Sequence, residues 1–229
     1  MALNGDARWR VARRRMVEEQ LVSHGIQDER VLDAMGRLPR HLFLDPVLGP
    51  RAYSANALPI GGGQTISNPR VVAVMCEALA LRGTERVLEI GAGCGYQTAL
   101  LCMLAREVWS LERISELAQA AAQRLADLGL SNFHLRADPG LAWPEEAPFD
   151  AIVASAAAPE VPGRLLAQLG PRGRLVLPVG RETRQQLLLL VRHRDAVVTT
   201  SLGSCKFVPL LGPRPSAARQ AGQGSGQPV

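Results

Sequence analysis

From residue 86 to residue 202 the chain alternates short apolar runs with stretches of helical period. Strands are expected at 86–90, 107–111, 133–136, 151–155 and 174–178. Helices are expected at 96–105, at 114–128 with Gly129 as the stop, and at 161–169. Strands and helices in alternation predict an α/β fold, a doubly wound and mostly parallel sheet. Two further runs, 186–192 and 197–202, read as additional strands.

The first 82 residues follow another rhythm. Val11, Met16, Val17 and Leu21 fall near one face of a helix expected over 7–24 and stopped by Gly25. Asp28 is placed to cap a second helix running to Met35. Pro39, Pro46, Pro50, Pro59 and the Gly61-Gly62-Gly63 run then break regular structure, so 38–66 reads as a long loop, and long ordered loops are usually functional. Ser67-Asn68-Pro69 is a helix start, a capping oxygen before a proline at the first helical position, with 71–81 filling the helix. The expected organisation is an N-terminal helical extension with a loop region (1–82), a nucleotide-binding α/β unit (83–212) and a Gly-, Gln-, Pro- and Ser-rich tail (213–229) expected to be disordered.

Composition narrows the class. With 229 residues, 47% of them hydrophobic and 4% aromatic, the chain has room for one substantial core built from Leu, Val and Ala. The best apolar run, 187–191, is flanked by Arg184 and Arg192 and is far short of the roughly 20 residues of a membrane span. Arg8, Arg10, Arg13, Arg14 and Arg15 interrupt any signal-peptide core, so a cytoplasmic location without membrane attachment is expected. The formal charge of +5 comes from scattered arginines, Lys206 being the sole lysine. Only Arg13 to Arg15 cluster, as a solvated helix face. Cys76, Cys94, Cys102 and Cys205 lack metal-ligand spacing, so neither a metal site nor a disulfide is expected.

The sharpest chemical feature is Val87-Leu88-Glu89-Ile90-Gly91-Ala92-Gly93-Cys94-Gly95-Tyr96, a strand entering a Gly-x-Gly-x-Gly turn and then a helix. Gly91, Gly93 and Gly95 let the backbone turn tightly against a ligand. A dinucleotide fingerprint needs its third glycine one place later, and no Walker sequence occurs. Glu112, 21 residues after Gly91, ends the second strand, where a carboxylate can accept both hydroxyls of a ribose. Order and spacing favour S-adenosylmethionine over NAD. Asp138, just after the third strand, is placed either to meet an adenine amine or to serve as a turn residue before Pro139-Gly140.

Four segments together resemble the protein-L-isoaspartate O-methyltransferase family. They are Ala57-Leu58-Pro59-Ile60-Gly61-Gly62-Gly63-Gln64-Thr65-Ile66-Ser67, Gly95-Tyr96-Gln97-Thr98-Ala99, Pro148-Phe149-Asp150-Ala151-Ile152 and Phe207-Val208-Pro209-Leu210, within a similarity spanning about residues 16–211. The resemblance implies a Rossmann-like S-adenosylmethionine-dependent methyltransferase. Its acceptors would be L-isoaspartyl residues of damaged proteins and peptides, with neither a specific nucleic acid nor a membrane as partner, and a monomer is expected. Ser67 matches the family's active-site serine, Thr65 shapes the loop over the cofactor, and Ile60, Gln64, Val208 and Leu210 border the acceptor. The family's Gly-Asp-Gly stands here as Ala137-Asp138-Pro139.

The chemistry fits the sparse residue set. An isoaspartyl linkage leaves a carboxylate with a pKa near 3.5, already ionised at neutral pH, so its transfer to a sulfonium methyl needs no base. Read alone, Ser67 is better explained as a helix cap, and the resemblance reverses that preference. Base methylation is disfavoured, since Asp138-Pro139 is followed by Gly140-Leu141 rather than proline and an aromatic, and no Pro-Cys dipeptide exists. A binding-only protein of the same fold is the competing reading from outside enzymology.

Overall fold

A computed structural model describes residues 7–182, 184–194 and 196–211; the tail expected at 213–229 lies outside the described residues. In chain order the helices are α1 (Ala7–Arg15), α2 (Glu29–Arg37), α3 (Pro69–Leu79), α4 (Tyr96–Leu104), α5 (Ser115–Asp127) and α6 (Gly163–Ala167). The strands are β1 (Leu58–Gly61), β2 (Gln64–Ile66), β3 (Arg86–Ile90), β4 (Glu107–Glu112), β5 (Phe133–Ala137), β6 (Phe149–Ala154), β7 (Leu169–Arg181), β8 (Arg184–His193) and β9 (Ala196–Cys205).

Strands β3 to β9 form one sheet in the order β5-β4-β3-β6-β7-β8-β9. From β5 across to β7 all pairs are parallel, and β8 and β9 add an antiparallel meander. The chain winds outward from β3 to β5, then returns to the other side of β3 with β6. That reversal opens a crevice at the carboxyl ends of β3 and β6, where ligands of doubly wound sheets bind.

Alternate strand residues serve opposite faces of the sheet. Val87, Val108, Ala151, Val153 and Val176 join a core with Met35 of α2, Met75 of α3 and Leu100 of α4. Leu88, Trp109, Ile152, Leu175 and Leu177 join another with Trp143 and Leu165 of α6. Burial on both faces is why these strands carry adjacent apolar residues rather than a strict alternation of apolar and polar ones. The N-terminal helices share the first of these cores with the sheet.

Three local expectations are corrected. The helix expected over 7–24 is α-helical only to Arg15, widens to a π-helix over Met16–Leu21 and tightens to a 3-10 turn over Val22–His24. Met16 and Leu21 are both buried, and residues five apart sit about 140° apart on an α-helix, so the wider turn brings both inward. The stretch at 38–66 holds two 3-10 segments and the β1–β2 hairpin. Gly62 and Gly63, both at positive φ, form its two-residue turn, the conformation that matches strand twist. The helix expected at 161–169 ends at Ala167 because Leu169 already pairs with Phe149 of β6.

Candidate functional site

The crevice over β3 and β6 is walled by the β2 end through Ser67, the glycine turn and first turn of α4, the end of β4, the loop after β5, Ser155 and Ala156 after β6, and residues 208–211. Of the residues singled out from sequence, Gln64, Thr65, Ser67, Gly91, Gly93, Glu112, Asp138, Val208 and Leu210 all line it. Ile60 and Gly95 do not. Ile60 supports the turn from behind, its Cδ1 lying 3.2 Å from where a Cβ on Gly93 would stand. Gly95 caps α4 in the left-handed region and admits α5, since a Cβ there would come 3.2 Å from Ala121 Cβ.

Glu112 is buried, and each carboxylate oxygen already takes one backbone N–H: Gly93 N donates to Oε2 and Ile114 N to Oε1, both at 2.9 Å. A carboxylate has about four lone-pair sites, so one remains on each oxygen for a diol. The same bonds tie the glycine turn to the end of β4. Asp138 fulfils its turn reading, with Oδ1 accepting from Gly140 N at 2.6 Å, while Oδ2 stands 4.0 Å from Arg136 Nη1.

Asn68, rather than Ser67, caps α3, its side chain accepting from Val71 N at 2.8 Å. The Ser67 hydroxyl takes no part in the cap, and Ser67 lines the crevice beside Val72. Cys94 is buried at the turn, and desolvation pushes its thiol pKa up, so it is a packed thiol and not a reactive one.

Two contacts within the quoted motifs were not assigned from sequence. Gln97, on the first turn of α4, lines the crevice nearly buried; Ser155 Oγ donates to its Oε1 at 3.4 Å, and its Nε2 has no partner among the described residues. A polar residue two places after the last turn glycine was the available signal. The segment after β9 is strapped across the crevice: Ala157 N donates to Val208 O and Leu210 N to Ala157 O, each at 2.8 Å. Gln185 on β8 grips the same segment, accepting from Phe207 N at 2.7 Å and donating to Phe207 O at 3.1 Å.

A nucleoside carrying a charged amino-acid arm fits this site: each Glu112 oxygen keeps a lone-pair position for a diol, the Asp138 carboxylate lies beside it, and Ile90, Leu111 and Leu141 supply apolar walls. Fold and site therefore define a Rossmann-like S-adenosylmethionine-dependent methyltransferase. The family model for protein-L-isoaspartate(D-aspartate) O-methyltransferase (PCMT) matches residues 12–214, and the chain belongs to that family. It is 50% identical over 204 residues to the protein-L-isoaspartate O-methyltransferase of Trichlorobacter lovleyi, covering 88% of this chain and 94% of that one. It is 52% identical over 202 residues to protein-L-isoaspartate O-methyltransferase 1 of Syntrophobacter fumaroxidans, with the same coverages. Its fold matches the crystal structure of a putative protein-L-isoaspartate O-methyltransferase from Plasmodium falciparum in complex with S-adenosyl-L-homocysteine. The TM-score is 0.74 at 23% identity, over 86% of this chain and 97% of that one.

Proposed function

We propose that this protein transfers a methyl group from S-adenosylmethionine to the free carboxylate of L-isoaspartyl residues in damaged proteins and peptides, which starts their repair. The observation that supports the reading is that Ser67 and the glycine turn line one crevice, within a chain that belongs to the family. When bound, S-adenosylmethionine supplies a methyl group on a positively charged sulfur.

The residues position and exclude water; none is required to move a proton. Glu112 would hold the ribose hydroxyls and Asp138 Oδ2 the adenine amine, with Thr65 over the cofactor side. The Ser67 hydroxyl donates to the acceptor carboxylate, which arrives ionised because its pKa lies near 3.5. Ile66, Val208 and Leu210 keep water from the meeting point, and Gln64 flanks the peptide. Anion and cation neutralise each other as the bond forms, so a dry and aligned site supplies the acceleration.

Proteins and peptides that contain L-isoaspartyl residues, rather than nucleic acid, are the acceptors in this reading, and the protein acts as a cytoplasmic monomer. Among the described residues no helix is long and apolar enough to cross a membrane. The test is label transfer from methyl-labelled cofactor to an isoaspartyl peptide, its normal aspartyl counterpart and RNA. Label on the isoaspartyl peptide alone is the expected result. Label on RNA, or on neither peptide, would refute it.

A further inference from the structure

Arg40 is fully buried in the 3-10 turn Arg40–Phe43. Its Nε donates to the Ala52 carbonyl at 2.8 Å and its Nη2 to the Ser67 carbonyl at 2.6 Å. The guanidinium carbon lies 4.7 Å from the ring centroid of Tyr96, the residue that leaves the glycine turn. The Tyr96 hydroxyl is a side-chain group beside the guanidinium that favours its charged form, and among the described residues no carboxylate pairs with this cation. Desolvation lowers its pKa, yet a guanidinium starts so high that it stays charged at neutral pH.

A buried cation without a counter-ion is a poor way to stabilise a fold, since an apolar side chain of like volume does as well or better. Its contacts explain its presence better. One donor fixes the peptide plane that follows Ser67, and therefore the direction in which the Ser67 side chain leaves the backbone. The planar fork reaches two carbonyls at once, which a single ammonium cannot match. The charge sits behind the acceptor wall in a region of low dielectric, where it attracts an incoming anion more than it would in water.

We propose that Arg40 is a positioning residue for methyl transfer: through the Ser67 carbonyl it aims the Ser67 hydroxyl, and its positive charge favours an ionised acceptor. The proposal rests on the reading of Ser67 as the acceptor-side group.

The test uses the full chain and the variants Arg40→Lys, Arg40→Gln, Ser67→Ala and the double variant Ser67→Ala with Arg40→Lys. Steady-state kinetics with an isoaspartyl peptide, calorimetry with S-adenosylhomocysteine and thermal melts are the readouts. Arg40→Lys keeps the charge and loses the fork, so kcat falls by about tenfold or more while peptide KM stays within about threefold. Arg40→Gln also loses the charge, and peptide KM rises by about tenfold over that of Arg40→Lys. Product affinity stays within about twofold in both, and the double variant is no slower than Ser67→Ala, because both changes remove one effect. Wild-type kcat in the folded Arg40→Lys protein would overturn the proposal, as would full additivity in the double variant or product affinity falling in step with kcat. If Ser67→Ala alone has wild-type kinetics, the underlying reading of Ser67 has failed instead. If Arg40→Gln does not fold, Arg40→Lys and the double variant still decide the positioning role.

Discussion

Asn68 accepts a hydrogen bond from the Val71 N–H at 2.8 Å and so closes the first turn of α3, which releases the neighbouring Ser67 hydroxyl for the crevice. The two residues separate in experiment. Asn68→Ala is expected to cost about 1 kcal/mol of stability. Ser67→Ala is expected to leave the melting temperature and S-adenosylhomocysteine affinity as they are. It lowers kcat/KM on isoaspartyl peptide by about 10- to 100-fold, the value of about 1.5–3 kcal/mol for a hydrogen bond to a charged group. A drop in melting temperature with unchanged transfer would return Ser67 to a structural role.

Glu112 organises the glycine turn as well as facing the ligand, because Gly93 N and Ile114 N both donate to it. Glu112→Ala should weaken S-adenosylhomocysteine binding by about 1–3 kcal/mol through lost charge-assisted bonds. Titration calorimetry measures this directly, and unchanged affinity would remove Glu112 from the ribose role.

Pro139 stands where the family has glycine, yet Asp138 is anchored without help from residue 139, its Oδ1 already held by Gly140 N. Pro139→Gly is therefore expected to bring no gain in cofactor affinity and to lower stability by about 0.4–1 kcal/mol, since the freer unfolded chain has more entropy to lose. Tighter binding in the variant would mean that the proline displaces Asp138.

Glu89 and Ser110 are paired across β3 and β4; the Ser110 hydroxyl and that of Thr98 on α4 both donate to Glu89 Oε2, at 2.7 and 2.6 Å. Burial pushes the Glu89 carboxyl up to about 7 despite those bonds. A carboxyl raised above its unfolded value of about 4.3 contributes stability at acid pH that is lost as pH rises through the folded value. Glu89→Gln does not titrate. Wild type should thus lose melting temperature relative to Glu89→Gln between about pH 4.3 and pH 7, then level off. A difference that stays constant across that range would sink this account.

The strap over the crevice hangs on Gln185, whose amide pairs with both backbone groups of Phe207. Gln185→Leu leaves those groups unpaired, at a cost of about 1–3 kcal/mol. Peptide KM should rise with little change in product affinity, and protease cleavage near Phe207 should quicken. Kinetics identical to wild type would show that the bonds between Ala157 and the strap suffice to hold it.

The elements that depend on local pattern were legible in the sequence. Burial on both faces gives β3, β4 and β6 mainly apolar interiors, broken by the buried Glu89 and Ser110, Gly91 and Gly93 mark the backbone turn, and Glu112 follows at the distance that one helix and one strand consume. The resemblance supplied Ser67 and residues 208–210 as a set, and the fold draws them to one crevice from opposite ends of the chain. The tertiary structure alone decided which neighbour does which task. Asn68 and Ser67 are both capping types, and only the direction of each side chain distinguishes them. Ile60 and Gly95 belong to strong motifs but pack at Gly93 and Ala121 and do not line the crevice. Arg40 meets Ser67 across 27 residues, and Gln185 meets Phe207 across 22. Periodicity carries no information about such pairs, because their partners are chosen by how the N-terminal helices and the β8–β9 meander pack against the sheet.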